Sequence, residues 1–169
     1  VSYRDGHYYV FDGQHTLMTR KAMNGGADLP IICKVYYGLT QEEEAILFSR
    51  QTGVSAPLTA GAKLRAALFG KDAEAIAFLN ATESTGLQLG LDSYRAPWKI
   101  ICIRAALKEY RTYGADLYKE ALTMLARGWE GDPDSLRSGI LQGMMRFVAL
   151  YQGEYDPERL VKRLHTVHP

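Results

Sequence analysis

Gly13, Gln14, His15, Thr16 and Arg20 place an amide, an imidazole, a hydroxyl and a guanidinium at the start of one segment. They follow Tyr8-Tyr9-Val10-Phe11, a β-prone run, and the turn-forming pair Asp12-Gly13. A strand that turns there into a helix presents the unbonded N–H groups of the helix's first turn. Such an N-terminus attracts anions, and a glycine lets a ligand approach the backbone closely. Arg20 falls further along the same helix. The chemistry these types suggest is the binding of a phosphate or another polar ligand by Asp12, Gly13, Gln14, His15, Thr16 and Arg20. The same residues also suit a structural role, with Asp12 and Thr16 capping the helix and His15 bonding locally.

A second cluster lies near the C-terminus. Arg159, Lys162 and Arg163, with His165 and His168 beyond them, face only Glu158. A basic stripe of this kind can hold DNA phosphates; it also suits a solvated face that complements the helix dipole. The formal net charge is only +1, so any basic surface must come from local clustering.

Other chemistry is sparse. No nucleophile elbow, Walker loop, zinc-protease motif or dinucleotide fingerprint is present. His7, His15, His165 and His168 lack metal-ligand spacing, and Cys33 and Cys102 form no C-x-x-C pair. Both cysteines sit in apolar runs and are expected as buried free thiols. No metal and no resident cofactor are expected, a nucleotide at the turn being the one candidate.

These residues need elements to hold them. Asp5-Gly6 between β-prone runs predicts a hairpin of residues 1–4 and 7–11, and the bulky second strand is expected in the sheet interior. A helix is predicted from Gln14 to Asn24, with Leu17, Met18, Ala22 and Met23 toward the core and Asn24-Gly25-Gly26 as its stop. Leu29–Tyr37 reads as a strand. Thr40 and Glu43 form a capping box for the next helix, whose apolar face is Ala45, Ile46 and Phe48; Gly53 closes it and Val54–Leu58 is a loop. From Thr59 onward the period is helical, with helices at about 59–69, 72–85, 97–113, 115–128, 133–152 and 156–165. Leu87–Leu91 is either a short strand or an irregular link. The predicted class is α+β: an α/β unit over residues 1–58 and an all-helical region over 59–169. The sequence opens at Val1 directly in a strand-like pattern and is expected to start inside a longer protein. Its apolar runs fall far short of a spanning helix, and the cytoplasm is the expected compartment.

The stretch Tyr8–Ala22 resembles the central motif of the ParB/sulfiredoxin-like superfamily, in which an apolar strand ends in a glycine-led polar turn and a helix follows. Leu29–Tyr37 is similar to the family's next strand and Thr40–Gln51 to its next helix. Gln51 and Pro57 stand at the spacing of a glutamine and a proline in the segment after it. The resemblance covers roughly residues 7–65, and Asp12-Gly13-Gln14-His15 is similar to the DGQHR-type subgroup, whose members are tied to phage, plasmid or DNA-modification systems. ParB proteins that hydrolyse CTP carry arginines in the turn and a Glu-Asn pair with an arginine later. Here His15 and Thr16 occupy the turn, and Phe48, Ser49 and Thr52 stand at the later positions. Sulfiredoxin needs a cysteine thiolate where this chain has Gln14, which excludes that activity.

The resemblance therefore implies a ParB-like, DNA-associated accessory protein without hydrolytic activity. It also implies a helix-turn-helix at residues 59–86, where Lys63, Arg65 and Lys71 are offset by Asp72, Glu74 and Glu83. Two alternatives come from other classes. One is a degenerate nucleotide-dependent enzyme using Gln14, His15, Thr16 and Arg20. The other is an interaction module whose helices dock a protein partner or form a homodimer.

Overall fold

A computed structural model describes residues 1–50, 58–92 and 94–169. The predicted helix stop at Gly53, most of the Val54–Leu58 loop, and Gln51, Thr52 and Pro57 lie outside the described residues. The fold is α+β, a small sheet lobe joined to a larger helical body.

β1 (Ser2–Arg4) and β2 (His7–Tyr9) form the predicted hairpin, with Ser2 opposite Tyr9 and Arg4 opposite His7. Asp5 and Gly6 both take positive φ (51° and 78°), as a two-residue type I′ turn requires. β3 (Tyr36–Tyr37) adds in parallel to β1, giving the order β2-β1-β3. β2 is therefore an edge strand, not the interior strand its bulk suggested. Leu29–Tyr37 was read as one strand, but only its last two residues pair. The register sets Tyr36 beside Ser2, the Tyr36 amide bonds the Val1 carbonyl at 3.0 Å, and the Val1 amino group donates to the Lys34 carbonyl at 3.3 Å. Cys33, expected buried, is exposed, and it is a free thiol.

α1 (Gln14–Met23) starts and stops where predicted. Its stop is made by the Gly26 amide on the Lys21 carbonyl and the Gly25 amide on the Ala22 carbonyl. Its apolar residues do not reach a core: α1 buries none of its side chains, and Met18 and Met23 are largely exposed. The sheet has two distinct faces. One face is taken by α2 (Gln41–Arg50), whose buried Glu44 bonds Ser2 and Arg4. The other carries Tyr8, Tyr3 and Tyr37 side by side, ring centroids 4.8 and 5.7 Å apart. The Thr40–Glu43 capping box forms in both directions, at 2.8 and 3.2 Å.

The helical body begins with α3 (Ala60–Phe69) and α4 (Ala73–Glu83), capped by Thr59 and Asp72. β4 (Gln88–Leu89) then pairs in parallel with β5 (Lys99–Ile100). Trp98, Ile100 and Ile101 were expected in a helix from residue 97. Pairing with β4 instead holds this stretch extended, and Trp98 takes φ 64°. Helix begins only at Ile103. α5 (Ile103–Gly128) is broken at Gly114 (φ 81°, ψ 170°), the boundary predicted between two helices. α6 (Ser138–Leu150) starts later than predicted, because Asp132–Leu136 form turns in which the Asp132 carboxylate accepts from the Asp134 amide. α7 (Pro157–Leu164) carries its Asp156 cap and a proline in its first turn.

The core lies between α4, α5 and α6, where Ala121, Leu122, Leu125, Leu141, Met145 and Val148 are buried. At its α4 end, Phe78, Tyr110 and Tyr118 form an aromatic triangle with centroids 5.4–5.7 Å apart. The Tyr118 hydroxyl lies 3.1 Å from that of Thr82. Burial pushes the Tyr118 phenol above its ordinary range, the Thr82 hydrogen bond opposing only in part. Among the described residues, no helix is long and apolar enough to cross a membrane.

Candidate functional site

The turn into α1 forms where the sequence predicts, with Gly13 at φ 83° and α1 beginning at Gln14, although β2 ends at Tyr9, two residues short of the expected Phe11. Asp12 Oδ1 accepts from the Gly13 amide at 2.8 Å, and Gln14 Nε2 donates to the Val10 carbonyl at 2.8 Å. No side chain caps the helix, so Thr16 does not take the capping role considered for it. The first helical bond is Leu17 N–H to the Gly13 carbonyl, 3.0 Å, which leaves the amides of residues 14–16 pointing out of the helix. Gln14, His15, Thr16 and Arg20 are all exposed. They stand on the surface of the sheet lobe.

The C-terminal cluster is arranged on one helix. Arg159, Lys162 and Arg163 fall at i, i+3 and i+4 of α7, so they share a face. All three are exposed, and none has a carboxylate within 4.0 Å among the described residues. The one acid of the helix, Glu158, is turned away by two bonds from Arg127 Nη2, at 2.7 and 2.8 Å. The opposite face seats α7: Val161 is buried and Leu164 packs on Gly128 of α5. The Trp129 indole N–H donates to the Val167 carbonyl at 2.8 Å, tying down the chain beyond the helix.

The α3–α4 pair occupies the place where the resemblance implies a helix-turn-helix, with Gly70-Lys71-Asp72 as its turn. The exposed residues of α4 are Ala73, Glu74, Ile76, Ala77, Asn80 and Glu83. That face holds two carboxylates and no cation, a poor match for a polyanion. Lys71 is already spent on Glu42 at 3.0 Å.

Sequence reasoning missed two features. Glu44 is only 7% exposed and ties α2 to β1: the Ser2 hydroxyl and Arg4 Nε both donate to its Oε1, the latter at 3.1 Å. Lys63, Arg104 and Lys108 line a cavity between helices. Arg104, Lys108 and Arg111, at i, i+4 and i+7, were legible as a stripe, but the helix was read for its apolar residues alone. No cluster of metal-ligating side chains occurs among the described residues.

Fold and surface define an α+β protein with a helical body and local basic faces. The chain belongs to the family of unknown function DUF6551, whose model matches residues 1–169. No curated protein and no solved structure matches it.

Proposed function

We propose that this chain is a ParB-like, DNA-associated accessory protein of the phage or plasmid kind, without hydrolytic activity of its own. The observation that carries the reading is the unpaired cationic face of α7. Arg159, Lys162 and Arg163 project together into solvent while Glu158 is held by Arg127. Cations left without partners on one face gain most from a row of phosphates, each contact releasing condensed counterions. The strand–turn–helix at Gly13 and the order β-β-α-β-α agree with the ParB-like resemblance. With no cation on the exposed side of α4, the mode of contact is with the DNA backbone and not with base edges.

Three phosphate contacts predict that log K falls with log salt at a slope of about −2.7. Anisotropy titrations of a labelled duplex at several salt concentrations measure it. The triple variant Arg159→Ala, Lys162→Ala, Arg163→Ala should flatten the slope nearly to zero. A protein without salt-sensitive DNA binding, or a triple variant with an unchanged slope, would overturn the proposal.

A further inference from the structure

A cavity of about 690 Å³ opens between the end of α2, α3, the start of α4 and the first half of α5. Five basic side chains line it, Arg50, Lys63, Arg104, Lys108 and Arg111, against two carboxylates, Asp72 and Glu74. The carboxylates are engaged. Arg111 clamps Glu74 through Nε and Nη2, at 2.8 and 2.5 Å, and this pairing holds the Glu74 carboxyl below the usual carboxylate range. Arg50 Nη2 lies 3.8 Å from Asp72 Oδ2. Lys63, Arg104 and Lys108 have no carboxylate within 4.0 Å among the described residues, and the eight residues outside that set contain no acid.

Three unneutralised cations around one recess repel one another, and α5 sets two of them at i, i+4, a spacing that costs a helix stability when charges are alike. An anion resolves that repulsion. The floor of the recess is apolar, built from Leu64, Ile103 and Leu107. Two hydroxyls stand at its wall. Ser49 donates to the Ile46 carbonyl at 2.7 Å and Thr112 to the Lys108 carbonyl at 2.8 Å, so both face a ligand as acceptors. Volume, cations, apolar floor and acceptors together describe a pocket of ligand-binding size.

We propose that this cavity binds a small phosphate ester of mononucleotide size. Lys63, Arg104 and Lys108 take the phosphate, the Leu64–Ile103–Leu107 floor takes the organic part, and Ser49 and Thr112 accept from its hydroxyl or amino groups. The site involves neither the α1 turn nor the α7 face, so it stands apart from the DNA-binding reading.

Calorimetry on the full chain with adenosine 5′-monophosphate, ribose 5-phosphate, inorganic phosphate and a DNA duplex tests it. The mononucleotide should bind more tightly than inorganic phosphate. Lys63→Ala and Lys108→Ala should each weaken it by about tenfold or more, and Lys63→Arg should restore most of the loss. The α7 triple variant should leave it unchanged. Lys108 is exposed and Lys63 half-buried at the cavity wall, and unchanged circular dichroism will show that the variants fold. The proposal is overturned if no ester binds at millimolar concentration, if inorganic phosphate binds as well as the mononucleotide, or if binding survives both lysine substitutions. It is also overturned if duplex DNA binds these cations and displaces the mononucleotide, which would make them part of a nucleic-acid surface.

Discussion

The same substitution, glycine to alanine, should have opposite signs at two helical positions of this protein. Gly143 lies in the middle of α6, exposed, and a methyl group added there meets nothing within 4 Å. Alanine then keeps the helix-propensity gain of about 0.5–1 kcal/mol. Gly61 is the second residue of α3 and is buried. There the added carbon would collide with the Leu91 carbonyl oxygen and lie 3.0 Å from the Leu91 carbonyl carbon. These are backbone atoms of the segment leaving β4, and they cannot rotate aside as a side chain would. Overpacking of this kind costs about 1–3 kcal/mol, and the propensity gain so near a helix start is at most that of the interior. The two variants should therefore differ by about 1–4 kcal/mol, with Gly143→Ala above the parent protein and Gly61→Ala below it. Urea unfolding followed by circular dichroism reads both midpoints, and an unchanged m-value confirms that stability alone has moved. In thermal scans each kcal/mol should appear as roughly 2–4 °C. A Gly61→Ala protein as stable as Gly143→Ala would refute the reasoning, because it would mean that α3 and the β4 exit are not in backbone contact.

Two further outcomes follow from buried polar groups. Glu44→Ala leaves the Ser2 hydroxyl and Arg4 without their acceptor and should cost about 2–3 kcal/mol, while Glu44→Gln recovers part of it; limited proteolysis should show the sheet lobe cut first, and an uncut lobe in Glu44→Ala would refute the role given to this carboxylate. The Tyr118 phenol is raised by burial and that of Tyr155 by burial and by Glu120 at 2.5 Å, so both keep their protons in the native state after the unfolded chain has lost its own. Their contribution is complete below about pH 10, the ordinary tyrosine range, and is lost as pH rises above it. Urea midpoints between pH 8 and 11 should fall less steeply in Tyr118→Phe than in the parent, and parallel declines would count against this account.

The helices were readable because each carries its own evidence. Thr40, Asp72, Asp156 and Pro157 mark starts, Asn24-Gly25-Gly26 marks a stop, and the stripes at Ala121–Leu125 and Leu141–Val148 give the face that meets the core. The hairpin was readable for the same reason, since Asp5-Gly6 states its turn locally. What failed depended on partners. Leu29–Val35 has strand composition yet does not pair among the described residues, and Leu17, Met18 and Met23 have helical spacing yet stay exposed. Lys99-Ile100 has helical neighbours yet pairs with β4. The α1 turn was legible down to the residue, whereas the cavity was not: a basic stripe on α5 does not say that α3 will bring Lys63 across from it.

Gly114 gives α5 two vocations. Its backbone sits in a region that only glycine occupies without strain, at φ 81° and ψ 170°. Ahead of that joint Arg104, Lys108 and Arg111 line the cavity while Ile103, Ala106 and Tyr110 face the core, and behind it Tyr118 to Leu125 serve the interior. The angle at one residue thus sets the aim of three charges it never touches. A side chain at 114 would meet no neighbour within 4 Å, so its cost would be the backbone strain at that φ and not a clash.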